Sequence, residues 1–511
     1  MALARTLSMA LLGVEGHPVE VEAHLGSGQA ALTLVGLPDT ALREARDRIR
    51  AAVANSGETW PDCQITISLS PASLPKRGSG FDLAIAAAVL GADGAVPLEG
   101  VHDCVFLAEL GLDGRTRPVE GVLPAVLAAV RGGHTTFAVA RENAAEARLV
   151  PDVEVIAVRS LAELFARLRG EAPPQEGVFE DEPPPRRERD ADRAPRPDLA
   201  DVLGQPMARR AVEIAAAGGP HLMMVGPPGT GKSLLAERLP TVLPPLSRQE
   251  AVEVTAVHSV AGTLSRREPL ITVPPYSAPH HTATRVAMVG GGSTSIKPGC
   301  VSRAHRGVLF LDEAPEFQRS VLDSLRQPLE SGEVTVDRAL GTVTFPARFQ
   351  LCMAANPCPC ARPGPACTCP PPQRRRYLAR LSGPLLDRVD LKIELQPVSR
   401  GELLADQPFA ETSEQVAERV AQARERSAKR FEGTPWRANA QVPGAELRRR
   451  FPVPEAARSV LASAMERGEI SARGVDRSLR VAWTLADLAG RGAPEPEDTA
   501  MAFALWSGRY P

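Results

Sequence analysis

The run Gly226, Pro227, Pro228, Gly229, Thr230, Gly231, Lys232, Ser233 has the residue types and spacing to hold a polyphosphate. Its glycines let backbone N–H groups close around phosphate oxygens, and a helix starting after them turns its positive end the same way. Lys232 has the reach for the β- and γ-phosphates, and Ser233 has a hydroxyl for Mg²⁺. The apolar run 222–225 just ahead reads as a short buried strand, which is the context this motif needs. A second run, 308–311, is also apolar and ends on two carboxylates, Asp312 and Glu313. That order suits Asp312 to the metal, often through water, and Glu313 to activation of the attacking water. The bland alternative is a pair of acids capping the next helix. Asn356 follows a third apolar run, 349–354, and has the chemistry to orient that water. It also reads as a turn residue ahead of Pro357. Hydrolysis further needs positive charge on the γ-phosphate, and an arginine supplied in trans can provide it. Arg388, in the segment 382–390, and Arg473, at a helix start, are the candidates; a surface ion pair is the alternative for each.

Cys358, Cys360, Cys367 and Cys369 put four of the eight cysteines into a short Pro- and Gly-rich stretch. Four thiolates suit a closed tetrahedral Zn²⁺ site, although two C-x-C pairs depart from the common C-x₂₋₄-C spacing. A metal would also order a loop that has little apolar material of its own. Redox chemistry, a disulfide or plain cysteines are the other readings. Cys63, Cys104, Cys300 and Cys352 stand in apolar contexts and read as core residues.

The elements that must position these groups follow from the rest of the chain. With 511 residues, 43% hydrophobic and 23% charged, it has the composition of several globular domains and not of a disordered or collagen-like chain. A formal net charge of -2 excludes a globally basic nucleic-acid coat protein and leaves room for a local basic channel. Lysines are confined to Lys76, Lys232, Lys297, Lys392 and Lys429 among many arginines. No apolar run approaches the length of a membrane span. Residues 5–14 faintly resemble a signal peptide but lack a cleavage site and run on into strand-like sequence, so they read as core. The cysteine usage fits the cytoplasm.

Prolines and mixed charge mark residues 171–197 as a linker. Before it, 19–23, 31–35, 65–69, 136–140 and 154–158 read as strands. Helices are expected from an Asp39 cap to Asn55, from Asp82 to Leu90, and over 161–168. After the linker, a helix over 207–217 and the three apolar runs predict a parallel sheet covered on both faces. From about residue 400 the pattern is helical: 413–431, 455–466, 477–488 and 496–506. The fold class is therefore multidomain α/β.

This arrangement resembles AAA+ ATPases, and more closely the YifB/ComM family of magnesium-chelatase-like proteins. The resemblance runs over nearly the whole chain. It is carried by Val35-Gly-Leu-Pro38, Glu44-Ala-Arg-Asp-Arg48, Leu74-Pro-Lys76, Ala278-Pro-His280-His281, Met288-Val-Gly290-Gly-Gly292, Phe345-Pro-Ala-Arg-Phe349, Asn356-Pro-Cys358-Pro-Cys360 and Ser382-Gly-Pro-Leu-Leu-Asp-Arg388. It implies a Lon-protease-like domain over 1–170, an AAA+ core with chelatase-type insertions over 198–399 and a helical lid over 400–511. It implies a homo-hexameric ring with ATP and Mg²⁺ between subunits, Arg388 as the trans finger and Arg473 as the lid arginine, with Arg477 and Arg480 as substitutes. The activity it implies is that of an ATP-driven DNA helicase promoting branch migration, in DNA uptake and transformation, with recombination proteins as further partners. A chelatase-type or protein-remodelling motor is the alternative.

Two further expectations rest on the same resemblance. The loop 75–81 resembles a Lon nucleophile loop, but Gly80 holds the nucleophile position, with Ser79 one residue early. The segment 120–125 lacks the lysine base, so the domain reads as a non-proteolytic scaffold. DNA contacts are expected from Lys297, Arg285 and Arg303 around a mobile-looking stretch 289–298. His280 and His281 are further candidates or simply pack, and the run Arg374, Arg375, Arg376 with a stacking Tyr377 is either a further contact or a solvated face at a helix start.

Overall fold

A computed structural model describes the chain except residues 1, 37–39, 77, 173–196, 266–267, 293–295, 339–340, 363–366, 399–400, 402–409 and 509–511. The Asp39 cap, nearly all of the linker and the tip of the 289–298 stretch lie outside the described residues.

The N-terminal unit is a seven-stranded mixed sheet. Its order is Ala31–Val35, Gln64–Ser70, Glu15–Gly26, Ala2–Leu12, Cys104–Leu107, Thr136–Ala140, Glu154–Val158. The apolar start read as core is the central strand, paired antiparallel with its neighbour from Ala2↔Leu25 to Leu12↔Glu15. Alternation does the folding here: Val19, Val21 and Ala23 point inward together with Ile65, Ile67 and Leu69. The helix Asp82–Ala92 is apolar all round and buried along its full length, so it forms the centre of the unit.

The second unit is a five-stranded sheet in the order Tyr276–Ser277, Val308–Leu311, Gln350–Ala355, Leu222–Val225, Leu391–Glu394. Every pairing in it is parallel. Val308–Leu311 and Gln350–Ala355 are buried at each position, as strands covered on both faces must be. The expected parallel sheet is thus present. It has a further edge strand at Leu391–Glu394, whose alternation of apolar and charged residues is too short to announce itself. A separate hairpin, Glu333–Arg338 with Gly341–Pro346, packs Val334, Val336, Val343 and Phe345 into one core with Leu309, Leu311, Leu351 and Met353 of this sheet.

The C-terminal helices are Ser413–Arg430, Gly444–Arg450, Glu455–Glu466, Ala472–Leu488 and Pro496–Ser507. The fourth starts five residues earlier than its apolar periodicity suggests, because Ser471 caps it by accepting from the Gly474 N–H. Val416, Val420, Val481, Leu485 and Leu505 share one core with Leu222 and Phe310 of the sheet. Among the described residues, no helix is long and apolar enough to cross a membrane.

Candidate nucleotide site

Three motifs converge because three neighbouring parallel strands end together. The loop 226–231 leaves Val225, Asp312 comes after Leu311, and Asn356 after Ala355; the register pairs Val225 with Ala355 and Leu311 with Met353. Crevices at the carboxyl ends of such strands are where α/β sheets bind ligands. Gly229 (φ +77°) and Gly231 (φ +89°) take left-handed conformations that turn the loop into the helix Lys232–Val242.

The side chains are already in mutual contact. The Lys232 Nζ donates to Gly226 O at 2.6 Å, to Pro227 O at 2.8 Å and to Asn356 Oδ1 at 3.4 Å. Burial lowers the Lys232 pKa, and the carboxylates of Asp312 and Glu313 oppose that shift. The Ser233 hydroxyl donates to Asp312 Oδ2 at 2.7 Å, so the two groups offered to a metal stand side by side. Glu313 adopts a left-handed backbone (φ +50°), and its N–H donates to Asp312 Oδ1 at 2.9 Å. That strained turn sends the two adjacent carboxylates to different places. A polyphosphate with Mg²⁺ fits this donor set: a lysine over the loop, a hydroxyl paired with a carboxylate, and a separate carboxylate beyond them.

One neighbour was not foreseen. His281 Nδ1 lies 3.2 Å from Glu313 Oε2, and the His280 ring packs against His281 at a tilt of 33° with ring centroids 4.1 Å apart. From sequence this pair had two readings, contact with DNA phosphates or simple packing; the fold brings His281 to the Glu313 carboxylate. The reason is topological. The two-residue strand Tyr276–Ser277 runs beside Val308–Leu311 and delivers the residues after it to the same end of the sheet.

The two arginine candidates stand elsewhere. The N–H groups of Asp390 and Leu391 both donate to His221 O, at the start of the phosphate-loop strand. Arg388 is therefore at the opposite end of the strands from Lys232, with a four-residue strand between them, roughly 13 Å of chain. Its guanidinium pairs with Glu330 and donates to Pro384 O at 2.7 Å. Arg477 donates to Arg388 O at 2.8 Å and to Asp390 at 2.5 Å, and Arg473 is exposed one turn earlier in that helix. Burial, then Arg477, Arg473 and Arg326, lowers the Arg388 pKa, so these charges face one another. Arg480 is turned away, donating to Val442 O at 2.8 Å.

The four clustered cysteines meet: their sulfurs all lie within 4.8 Å of one another. Cys104, Cys300 and Cys352 are buried and Cys63 half-buried, in agreement with their reading as core. In the N-terminal unit, the Lys76 ammonium is buried on Pro71 O and the Ser79 hydroxyl donates to Glu109, so each is committed to a different partner. Asp82, fully enclosed, is pushed up to about 6 by burial, against the pull of Arg48 at 2.7 Å.

The expected DNA contacts divide. Arg285, Arg374, Arg375 and Arg376 are exposed. Arg303 is half-buried, donating to the Cys300 sulfur at 3.1 Å. Lys297 is ion-paired with Glu120 of the N-terminal unit at 2.8 Å, and the stretch around it forms an antiparallel rung, Gly290–Gly291 with Lys297–Pro298. Tyr377 is buried, so its expected stacking on bases is overturned; on the short helix Pro371–Leu378 the tyrosine faces inward while the three arginines are exposed.

Comparison with known proteins adds to this geometry. Residues 198–403 match the family model for magnesium chelatase, subunit ChlI. Residues 21–143 match that for the subunit ChlI of Mg-chelatase, and 410–505 that for its C-terminal part. The chain is 52% identical over 508 residues to the uncharacterized protein Rv2897c of Mycobacterium tuberculosis, covering 99% of both. It is 41% identical over 494 residues to the competence protein ComM of Haemophilus influenzae, covering 96% of this chain and 94% of that one. It is 40% identical over 489 residues to the uncharacterized protein YifB of Escherichia coli, with the same coverage.

Proposed function

The chain belongs to the YifB/ComM family of magnesium-chelatase-like AAA+ ATPases, and from that premise we propose that it works as a ring of six subunits which hydrolyses ATP to move along DNA. The reading is a helicase that promotes branch migration of recombination intermediates during uptake and integration of DNA. The observation that carries the ATPase is the contact set Lys232, Ser233, Asp312, Glu313 and Asn356 at one end of three parallel strands. Similarity to the competence protein ComM of Haemophilus influenzae supports the DNA substrate.

In this reading the backbone of 226–231 and Lys232 hold the β- and γ-phosphates, and Ser233 and Asp312 hold Mg²⁺. Once bound there, Mg²⁺ would neutralise phosphate charge. Glu313 takes the proton of the attacking water, with His281 setting the position of its carboxylate, and Asn356 orients that water. Arg388 and Arg473, standing together at the other end of the strands from their own Lys232, serve the nucleotide of a neighbouring subunit. That division makes the ring, and not the subunit, the hydrolytic unit. The N-terminal unit serves as a scaffold with no peptidase role, since Ser79 and Lys76 have separate partners.

The test is ATP-dependent strand displacement on forked and three-stranded DNA, with Lys232→Ala as control. Displacement that is lost in the control is the expected result. ATP hydrolysis and DNA binding with no displacement would move the function to remodelling of a protein partner.

A further inference from the structure

Four thiols take no part in the chemistry above. Cys358 Sγ lies 3.4 Å from both Cys360 Sγ and Cys367 Sγ, and the latter two are 3.6 Å apart. These separations are too long for disulfides, which need about 2.05 Å. They are close to the edges of a tetrahedron of sulfurs about 2.3 Å from a central zinc ion, which are about 3.8 Å. The backbone is arranged to match. The N–H groups of Ala361, Arg362 and Cys360 are directed at the sulfurs of Cys358, Cys360 and Cys369 respectively. Ala361 takes a left-handed conformation (φ +57°), and its N–H also reaches Cys358 O at 3.1 Å. A non-glycine residue held there indicates that something over-determines the turn.

The cluster also joins two parts of the molecule. Asn356, in contact with Lys232, is two residues before Cys358. On the other side, Arg374 Nε donates to Cys369 O at 3.2 Å from the helix Pro371–Leu378. The far end of that helix is fastened to the turn after Glu313, where Arg380 donates to Glu316 at 2.8 Å and to Pro315 O at 3.3 Å. Buried Tyr377 lies between, with Glu316, Glu313 and Cys358 all near enough to act on its hydroxyl.

We propose that Cys358, Cys360, Cys367 and Cys369 bind one zinc ion as thiolates, and that the ion fixes the helix Pro371–Leu378 between Asn356 and Glu313 so that Arg375 and Arg376 meet a nucleic-acid strand in a set position. Binding releases the thiol protons and gives the loop the order that its Pro- and Gly-rich sequence cannot supply by packing. The metal half stands on the cluster alone; the positioning half rests on the DNA reading above.

The two halves are tested separately on the full-length chain. Elemental analysis after purification without chelators should find one zinc per chain, and exchange with Co²⁺ should give the absorption bands of a tetrahedral thiolate site. The double variant Cys367→Ser/Cys369→Ser should lose the metal while Cys63→Ser keeps it. Wild-type protein with no zinc, or with iron in its place, overturns the assignment whatever the variants do. For the second half, affinity for a single-stranded oligonucleotide should fall about tenfold in Arg375→Ala/Arg376→Ala with zinc retained, and as far in the metal-free double variant. Zinc present but oligonucleotide affinity unchanged in both variants overturns the positioning half and leaves the metal site standing.

Discussion

Lys232 and Arg388 are both cations, yet their surroundings give them different work. Lys232 is buried over its own loop, touching Asn356. Arg388 sits among Arg326, Arg473 and Arg477, where repulsion is relieved by Glu330 and by any anion from outside. A group of arginines held together at some cost is a natural receptor for a partner's phosphates. This argues for complementation between damaged subunits. Neither Lys232→Ala nor Arg388→Ala alone should hydrolyse ATP, but an equal mixture should regain a measurable fraction of wild-type turnover. A mixture as inactive as its components would assign Arg388 to its own subunit. The types and spacing of Lys232, Ser233, Asp312 and Glu313 were legible because phosphate and metal chemistry constrains them locally. His281 was not, because its contact depends on which strand lies next to which.

At the scale of elements, the short parallel strands were readable from their apolar runs, while several others hid in plain composition. The helix Arg248–Ala261 carries a capping box, Ser247 with Glu250, that would have announced it. The hairpin strands alternate Val and Thr, a period-2 signal that was also available. What no local signal gave is the seam between the sheet and the C-terminal helices. There His221 Nδ1 accepts from the Leu351 N–H at 3.0 Å, while Asp390 accepts from the His221 N–H and from Arg477. Burial, with Arg477, Arg388 and Arg480 adding to it against Asp390, pulls the His221 pKa down to about 4. Between the ordinary histidine pKa near 6.5 and about 4, the unfolded chain binds a proton that the folded one refuses, so stability is lost as pH falls through that window. The loss reaches about 3 kcal/mol at its lower end. Denaturant unfolding at pH 7 and pH 5 should show it, and His221→Asn, whose amide oxygen can stand in for Nδ1, should flatten the dependence. An unchanged slope in that variant would remove His221 as the cause.

At the scale of the whole molecule, the N-terminal unit does not hang free from the ATPase core. Its helix Val122–Arg131 seats on Arg248–Ala261, with Ala256 inside the N-terminal unit's apolar cluster. Arg248 donates to Leu149 O at 2.5 Å, and Lys297 pairs with Glu120. Gly13 lies so close to Val343 of the hairpin that a Cβ there would meet it at 2.5 Å. The polar centre of this interface is Glu146, buried, accepting from the Leu123 N–H at 2.8 Å and from the Ser259 hydroxyl of the ATPase helix. Glu146→Ala leaves both donors without an acceptor and should cost about 1–3 kcal/mol of stability. Glu146→Gln keeps the one oxygen that both donors share and should stay near wild type. Equal stability of the two variants in thermal or denaturant unfolding would show that Glu146 does not hold the interface.

The sequence by itself determined the phosphate loop, the paired acids after a buried strand, the four crowded thiols and the division into α/β and helical parts. Each of these is written in neighbouring residues, where motif spacing and hydrophobic period act over a few positions. The tertiary structure decided which loops share an end of the sheet, that His281 meets Glu313, that Tyr377 is buried while its helix offers arginines, and that Glu146 bridges two units. It also set Arg388 and Arg473 apart from their own nucleotide loop. These are contacts between residues tens to hundreds of positions apart, fixed by strand order and by the faces that burial leaves free, and local sequence carries no record of either.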